Sequence, residues 1–504
     1  MWWIAACAGP ASPPPPTDTL PPPVTDTAPP LTDPDPTTTP TPPTGPTHTI
    51  TGTGPGVIDA TCTMQLENVL RATCAVQLGD EGAAHITLTN EGTGEEWTWT
   101  SSGPATVHEI TVDRMRANQD HSWLAWSETG PGTRDGTMRS GVLPSTVDFD
   151  GFVEATPEAT VGDVLLPYTC GKQGMMVAVD PEGQVVWYED SALRIGSTVG
   201  IDVTGFRYDP AERAITVILR HDDIAEYDLS GHLRMHLVRG IDWDAQAAAH
   251  HDIVQHEGKT YVLAAAESVE GDTTYILDRV LRFDADGLLD ATWDLAGRYD
   301  YTGYAPPPTG YWGLDFDDAS IDISHANGLT VLDDGDLLLS FRHLHTVMQV
   351  AGFDAPDAGT VRWTFVGQSD VPIESTYTKV SSAFVSPLDF SVQHHASFTA
   401  DGRLIFLDNR QFTVASRVVE WVLDDATGEA DLLDEYDIDG WCVVQGGVYE
   451  LPSGNLLATC ATTQTVVEFE RGGDAIWTFE PDCGGFSFTS IVRAQPIDFF
   501  PELP

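Results

Sequence analysis

The sequence predicts an all-β chain, a six-bladed β-propeller preceded by a small β-sandwich and a disordered Pro/Thr-rich tether. Three observations predict it. Gly (46) and Pro (35) are plentiful and aromatic residues make up 9% of the chain, while no long apolar pattern repeats every 3.6 residues, so helices do not form the bulk. A turn carrying Asp or Gly and followed by an apolar strand recurs six times beyond residue 160. A separate block of short alternating strands comes before it. At 504 residues and 41% hydrophobic, the chain can build one large core and a smaller domain.

The opening Met1-Trp2-Trp3-Ile4-Ala5-Ala6-Cys7 is similar to the end of a lipoprotein signal, in which an aliphatic and two small residues precede a cysteine that becomes acylated. Residues 1–7 are therefore expected to be a signal remnant with Cys7 as the lipidation site. A basic leader is absent, so the translation start is expected upstream. Acyl chains on Cys7 would anchor the protein firmly, at about 0.8 kcal/mol per buried methylene. Residues 8–55 are Pro, Thr and Asp with almost nothing apolar. Such a segment cannot offset its ordering entropy and reads as a tether. The expected location is the cell envelope, periplasm or outer-membrane surface, with membrane contact only through the lipid.

Residues 56–147 carry short alternating runs: Thr61 to Leu66, Thr73 to Leu78, Ala84 to Leu88, Thr98 to Thr100, His108 to Val112 and Ser122 to Trp126. Their spacing fits a small sandwich, and the stretch from His108 to Trp123 resembles a fibronectin type III module. From 160 to 504 the turn-strand unit repeats: Asp180 to Gly183, Ser230-Gly231, Asp284 to Gly287, Asp357 to Gly359, Gly428, and Gly472 to Asp474, each before an apolar strand. Six copies about 40 to 70 residues apart imply six four-stranded blades. The tail Phe486 to Ile497 has strand character and no partner of its own, so it is expected to complete the first blade.

Six cysteines besides Cys7 suit disulfides in an oxidising compartment. Cys62 with Cys74 is the best local pair, on neighbouring short strands. Cys442 with Cys460 could bridge strands of one blade, and Cys170 with Cys483 the two ends of a ring. No C-x-x-C spacing suggests a metal.

Against 24 basic residues stand 76 acidic ones, a formal charge of −52. That field repels phosphate backbones and anionic lipid surfaces, which excludes nucleic acid as a partner. Any anion site must create its own positive potential.

Histidines recur where the first strand of a blade begins: His250-His251-Asp252-Ile253, Ser324-His325-Ala326-Asn327-Gly328 and Gln393-His394-His395-Ala396. Equivalent positions on successive blades converge on one axis. Strand alternation allows only one histidine of each adjacent pair to face it, and His251 and His394 are chosen. Arg342 follows one strand after His325. By the same rule His343 and His345 fall outside the cluster.

These stretches, with Leu407-Asp408-Asn409 and Ser416-Arg417-Val418-Val419-Glu420, resemble the bacterial arylsulfate sulfotransferases that use no nucleotide donor. The likeness covers about 160 to 500 and keeps the order of the motifs. It implies a six-bladed propeller after an N-terminal sandwich, with His394 as a transiently sulfurylated nucleophile. His251, His325 and Arg342 would bind the sulfuryl oxygens, with Asn327 beside them. The implied partners are a small phenolic sulfate donor and a phenol acceptor, and no cofactor or metal is expected. A neutral imidazole is a competent nucleophile at physiological pH, and an arginine fork meets two oxygens at once. Two other readings compete: a metal-dependent hydrolase or lyase using the axial histidines, and a surface propeller that only binds.

Overall fold

Short β-branched and aromatic runs separated by Asp/Gly turns fold here as antiparallel hairpins. The computed structural model describes residues 53–499 except 169, 171, 172, 199, 309, 314, 369, 382–386, 411–413, 439 and 483–490. Cys7, the signal remnant and the linker up to residue 52 lie outside the described residues, as does Cys483 and with it the expected Cys170–Cys483 link.

Two sheets come first. Val57–Met64, Ala72–Gly82 and Ala105–Val112 form one, while Glu96–Thr100, His85–Asn90, Asp120–Ser127 and Gly130–Arg139 form the other. The alternation read from the sequence buries Cys74, Val76 and Ile110 of the first against Ile86, Leu88 and Trp123 of the second. Cys62 faces Cys74 across the hairpin register and the two are bonded. The strand Gly130–Arg139 was not expected, because its residues GPGTRDGTMR are nearly all polar and it lies at a sheet edge.

Beyond residue 160 the described residues form six four-stranded antiparallel units. In the second unit, Val203–Asp209, Ala214–Leu219, Asp223–Asp228 and Leu233–Val238 pair in chain order. The third (Ala248–His256 to Leu289–Asp294), fourth (Ala326–Val331 to Val361–Val366), fifth (His394–Phe398 to Glu429–Asp437) and sixth (Gly447–Glu450 to Ala475–Asp482) repeat the pattern. Each repeated Asp/Gly turn joins the third strand to the fourth. At Asp180 the carboxylate Oδ1 accepts from the N–H groups of Glu182 and Gln184, and Gly183 takes a positive φ of 76°, the geometry for which that pairing of residues is suited.

The first unit is completed from the far end of the chain. Gln495–Ile497 pairs with Asp163–Leu166, followed by Met175–Val179 and Val185–Asp190. A tail strand over Phe486 to Ile497 was expected there; only Gln495–Ile497 is strand, residues 491–494 are not, and 486–490 lie outside the described residues. Asp150–Ala155 adds a fifth strand to the outer edge of the sixth unit.

The first strands of successive units lie side by side, Val203–Asp209 against Ala248–His256, that strand against Ala326–Val331, then His394–Phe398 and Gly447–Glu450. Where they meet, Asp252 sits fully buried between Arg207 (3.0 Å) and Arg493 (2.8 Å) and accepts the Leu329 N–H at 2.9 Å. The two guanidiniums hold its carboxyl down at about 2 despite burial. Because Asp252 ties together four units, Asp252→Ala leaves two arginines without their anion and is expected to cost about 3–5 kcal/mol of stability. Urea unfolding measures it, and a loss below about 1 kcal/mol would contradict the assignment.

The two leading sheets are fastened to this body. Arg71 pairs with Glu189 at 3.1 Å and donates to the Leu229 carbonyl, and Arg114 grips Asp163 with two nitrogens at 2.5 and 2.8 Å.

A histidine cluster beside one arginine

The first strands of the third, fourth and fifth units do not begin as regular strands. Pairing skips between Ala249 and Ile253, between Ala326 and Gly328, and between His394 and Ser397. Such bulges re-aim side chains. His251 (φ 56°) and His325 (φ 49°) sit in the left-handed region, which non-glycine residues enter only at a cost. His394 does not; it lies between two left-handed residues, Val392 (φ 49°) and His395 (φ 52°). The three histidines are therefore not at equivalent backbone positions, yet the bulges bring them together. The His251 ring centroid is 5.0 Å from that of His325 and 6.1 Å from that of His394.

Simple alternation fails at two places, the first at the bulge and the second at a turn. His250 was expected to turn away from His251, but its Nδ1 lies 2.9 Å from His251 Nδ1, and its Nε2 lies 2.9 Å from an Asp278 carboxylate oxygen. His343 was expected outside the cluster, but its ring lies 4.7 Å from His325. The strand ends at Phe341 and residues 342–345 form a turn, so period two no longer applies. His345 does stand apart: its Nδ1 accepts the Val392 N–H at 2.9 Å. His395 faces the Val448 carbonyl and Tyr449 instead of His251.

The hydrogen bonds of His394 identify its lone-pair nitrogen. Asn409 donates through Nδ2 to the carbonyls of Cys442 (2.5 Å) and Gln445 (3.0 Å), which turns its Oδ1 toward His394 Nδ1 at 3.0 Å. The Val392 carbonyl is the second neighbour of that nitrogen, at 3.3 Å. Both neighbours accept, so Nδ1 carries the proton and Nε2 the lone pair. Burial, then the charge of Arg342 and the neighbouring His325, hold the protonated form of His394 well below the usual imidazole range. His251 and His325 are depressed in the same way, burial again being the largest cause.

Cys442 is bonded to Cys460. It belongs to the loop before Gly447–Glu450 and not to a strand, so the link joins loop to strand, not the strand-to-strand bridge the sequence suggested.

Arg342 is partly buried, and burial lowers it to about 10, still cationic at neutral pH. Its Nη2 donates to the Val443 carbonyl at 3.4 Å. The buried arginines Arg71, Arg282, Arg417 and Arg493 each pair with a carboxylate. Among the described residues none lies within 4.0 Å of Arg342. In a chain with 76 acidic side chains, that leaves a positive charge beside buried imidazoles, felt by Asp322 at a distance but not ion-paired with it, the arrangement an incoming anion needs.

Asn327 spends its Nδ2 on the Gln393 carbonyl at 2.6 Å, tying the fourth unit to the residue before His394. Sequence reasoning missed His221, which holds Asp315 at 2.8 Å, and the neighbours Tyr311 and Trp312. The Tyr311 ring lies 4.6 Å from His251 and 5.0 Å from His325. Trp312 packs edge-on 4.8 Å from His250. Both sit in a Pro-rich connection between Gly310 (φ 66°) and Gly313 (φ 54°), and an aromatic pair between glycines was the only signal available.

Asp322, His325 and His343 gather within 4.8 Å, with only the Nε2 atoms of the two rings left to serve as nitrogen ligands. Nδ1 of His325 faces the Asp322 carboxylate at 2.6 Å and Nδ1 of His343 the Asp322 carbonyl at 2.7 Å. Those nitrogens carry protons, and Arg342 adds a cation beside them.

Residues 153–475 match the family described as arylsulfotransferase (ASST). No curated protein matches the chain. Similar solved structures include virginiamycin B lyase from Staphylococcus aureus (11% identity, 55% of this chain and 69% of that one, TM-score 0.31). A streptogramin B lyase gives 10% identity over 66% of this chain and 98% of that one, TM-score 0.37. The β-propeller domain of Cps50 (Swd1) from Myceliophteria thermophila gives 11%, 66% and 90%, TM-score 0.34. Overlap at these scores carries no argument about this chain.

Proposed function

The chain belongs to the arylsulfotransferase family, and from that premise we propose that it moves a sulfuryl group between phenols through a sulfohistidine at His394, without a nucleotide donor or a metal. The observation that carries this reading is Arg342, a cation with no carboxylate partner among the described residues, beside three imidazoles held neutral.

In the first half-reaction, His394 Nε2 attacks the sulfur of an aryl sulfate and the S–O bond to the phenol breaks. Arg342 and His251 donate to the sulfuryl oxygens as charge builds there, and His325, whose Nδ1 proton is spent on Asp322, joins them only as an imidazolium. Asn409 keeps the proton on Nδ1 and so keeps Nε2 nucleophilic. In the second half-reaction the oxygen of another phenol attacks the same sulfur and His394 leaves unchanged. Tyr311 and Trp312 offer aromatic faces to the phenolic rings. The scheme requires ping-pong kinetics with 4-nitrophenyl sulfate and phenol. Intersecting double-reciprocal lines would refute it.

The pH dependence follows from the depressed His394. Because its folded-state value lies below the ordinary 6.5, lowering the pH from 8 through 6.5 leaves the nucleophile neutral. The rate of His394 sulfurylation by donor alone is expected to be flat across that range. Stopped-flow release of nitrophenol measures it, and a decline centred on 6.5 would contradict the burial argument.

The finer architecture is proposed with it: a closed six-bladed propeller over 160–504, supported by the six four-stranded units and the tail strand in the first, and a fibronectin III-like sandwich over 56–147. We also propose that the protein is exported and lipid-anchored at Cys7 in the cell envelope, with residues 8–55 as its tether. The Cys62–Cys74 and Cys442–Cys460 bonds support an oxidising compartment.

A further inference from the structure

His251, His325 and His394 are buried, while Arg342 beside them is partly exposed, so the site opens on the side of Arg342. Nη2 of that arginine donates to the Val443 carbonyl, which sets the loop of residues 440–446 along the opening. The loop is held through its backbone. The Cys442 and Gln445 carbonyls accept from Asn409, the Cys442 N–H donates to Ser416 Oγ at 2.9 Å, and the Val443 N–H donates to Thr462 Oγ1 at 3.0 Å. The Cys442 side chain is tied to Cys460. With these groups spent on the protein, Trp441 and Val444 are left to solvent, 53% and 44% exposed. Val414, two residues before Ser416, is exposed as well.

We propose that Trp441 and Val444 form an acceptor subsite, a face that takes the second ring of an uncharged two-ring phenol while its hydroxyl reaches His394. The inference rests on the sulfohistidine reading and adds the class of acceptor to it. Three features select this occupant. The loop is continuous with the site, one hydrogen bond from Arg342 and two from His394 by way of Asn409. A tryptophan beside a valine offers an aromatic face and apolar area without a charge, so it recognises a ring by contact. Charge excludes the other occupants: 76 acidic against 24 basic side chains repel an anionic acceptor and an anionic lipid surface alike, whereas a neutral phenol approaches freely.

This face is separate from the one made by Tyr311 and Trp312. The Tyr311 ring lies against His251 and His325, and Trp312 is buried against His250. The histidine cluster thus has an inner aromatic station on the side of His251 and an outer one on the side of Arg342 and His394. A plain phenol fills only the inner station; a two-ring phenol reaches both. Contacts made at the outer station leave the reacting atoms untouched, so they set the preference between acceptors. Apolar side chains exposed together beside a site are a common mark of such recognition.

The test compares two acceptors of similar acidity. Protein sulfurylated with 4-nitrophenyl sulfate and freed of donor is given phenol or 4-phenylphenol, and the second-order rate constants for loss of the label are measured. The unmodified protein is expected to prefer 4-phenylphenol by about 10-fold. Trp441→Ala should remove most of that preference, lowering the ratio about 5- to 10-fold, and Trp441→Phe should keep most of it. Val444→Ser is expected to lower the ratio about 2- to 3-fold, and it carries the comparison if Trp441→Ala does not fold. An unchanged ratio, or an equal loss for both phenols, would overturn the inference while leaving the sulfohistidine intact. An unchanged ratio together with an altered oligomeric state would assign the face to a second copy of the chain. Absence of sulfuryl on His394 in the unmodified protein would overturn the reading beneath it and the subsite with it.

Discussion

His394→Ala is expected to abolish release of nitrophenol from 4-nitrophenyl sulfate, with a loss on the order of 10⁴-fold or more. The size follows from its role, because the side chain forms the bond that splits one difficult transfer into two easier ones. Its hydrogen bonds predict that the variant folds. Removal leaves Asn409 Oδ1 without its imidazole, a buried acceptor worth about 1–3 kcal/mol. His395→Ala is the matched control, since it alters an adjacent buried imidazole that faces Val448 and Tyr449. If the two variants lose activity equally, with melting temperatures falling together, the loss reports stability and not chemistry.

The second large effect belongs to Arg342. Arg342→Ala is expected to lower kcat by about 10²- to 10³-fold, the range for removing a donor aimed at charge that develops in the transition state. Arg342→Lys restores the charge but not the two-pronged fork, so it should recover only part of the loss. Stability should barely change, because no described carboxylate pairs with Arg342 and none is orphaned by its removal. Asp252→Ala is the opposite case, costly to the fold because two arginines depend on it. Measuring kcat and urea midpoints on both proteins separates the roles. A strongly destabilised Arg342→Ala would mean that the arginine is a structural tie.

The fold was legible because its signals are local. An Asp whose carboxylate caps its own turn recurs at four of the six junctions of third and fourth strands, at Asp180, Asp228, Asp284 and Asp424, and a Gly at positive φ at all six, as at Gly183, Gly359 and Gly472. The strand Gly130–Arg139 escaped notice because an exposed edge strand needs no apolar alternation. The site was legible as far as residue type goes: His251, His325 and His394 do come together, with Arg342 at the turn whose backbone pairs with His325. What the sequence concealed was orientation. The irregularity between Ala249 and Ile253 breaks the alternation that would have separated His250 from His251, and a turn carries His343 back onto His325. Tyr311 and Trp312 reach the histidines from a connection with no repeat or strand pattern, and no local rule predicts that reach.

The central claim is a covalent sulfuryl group on one named imidazole. Incubating the protein with 4-nitrophenyl sulfate and no acceptor, then digesting it under mildly alkaline conditions and sequencing the peptides by mass spectrometry, tests that directly. The account predicts a mass increase of one SO3 group on His394, one nitrophenol released per modified chain, and loss of the label when phenol is added. Turnover with no adduct on any histidine, or an adduct on His251 or His325 that phenol discharges, would contradict it.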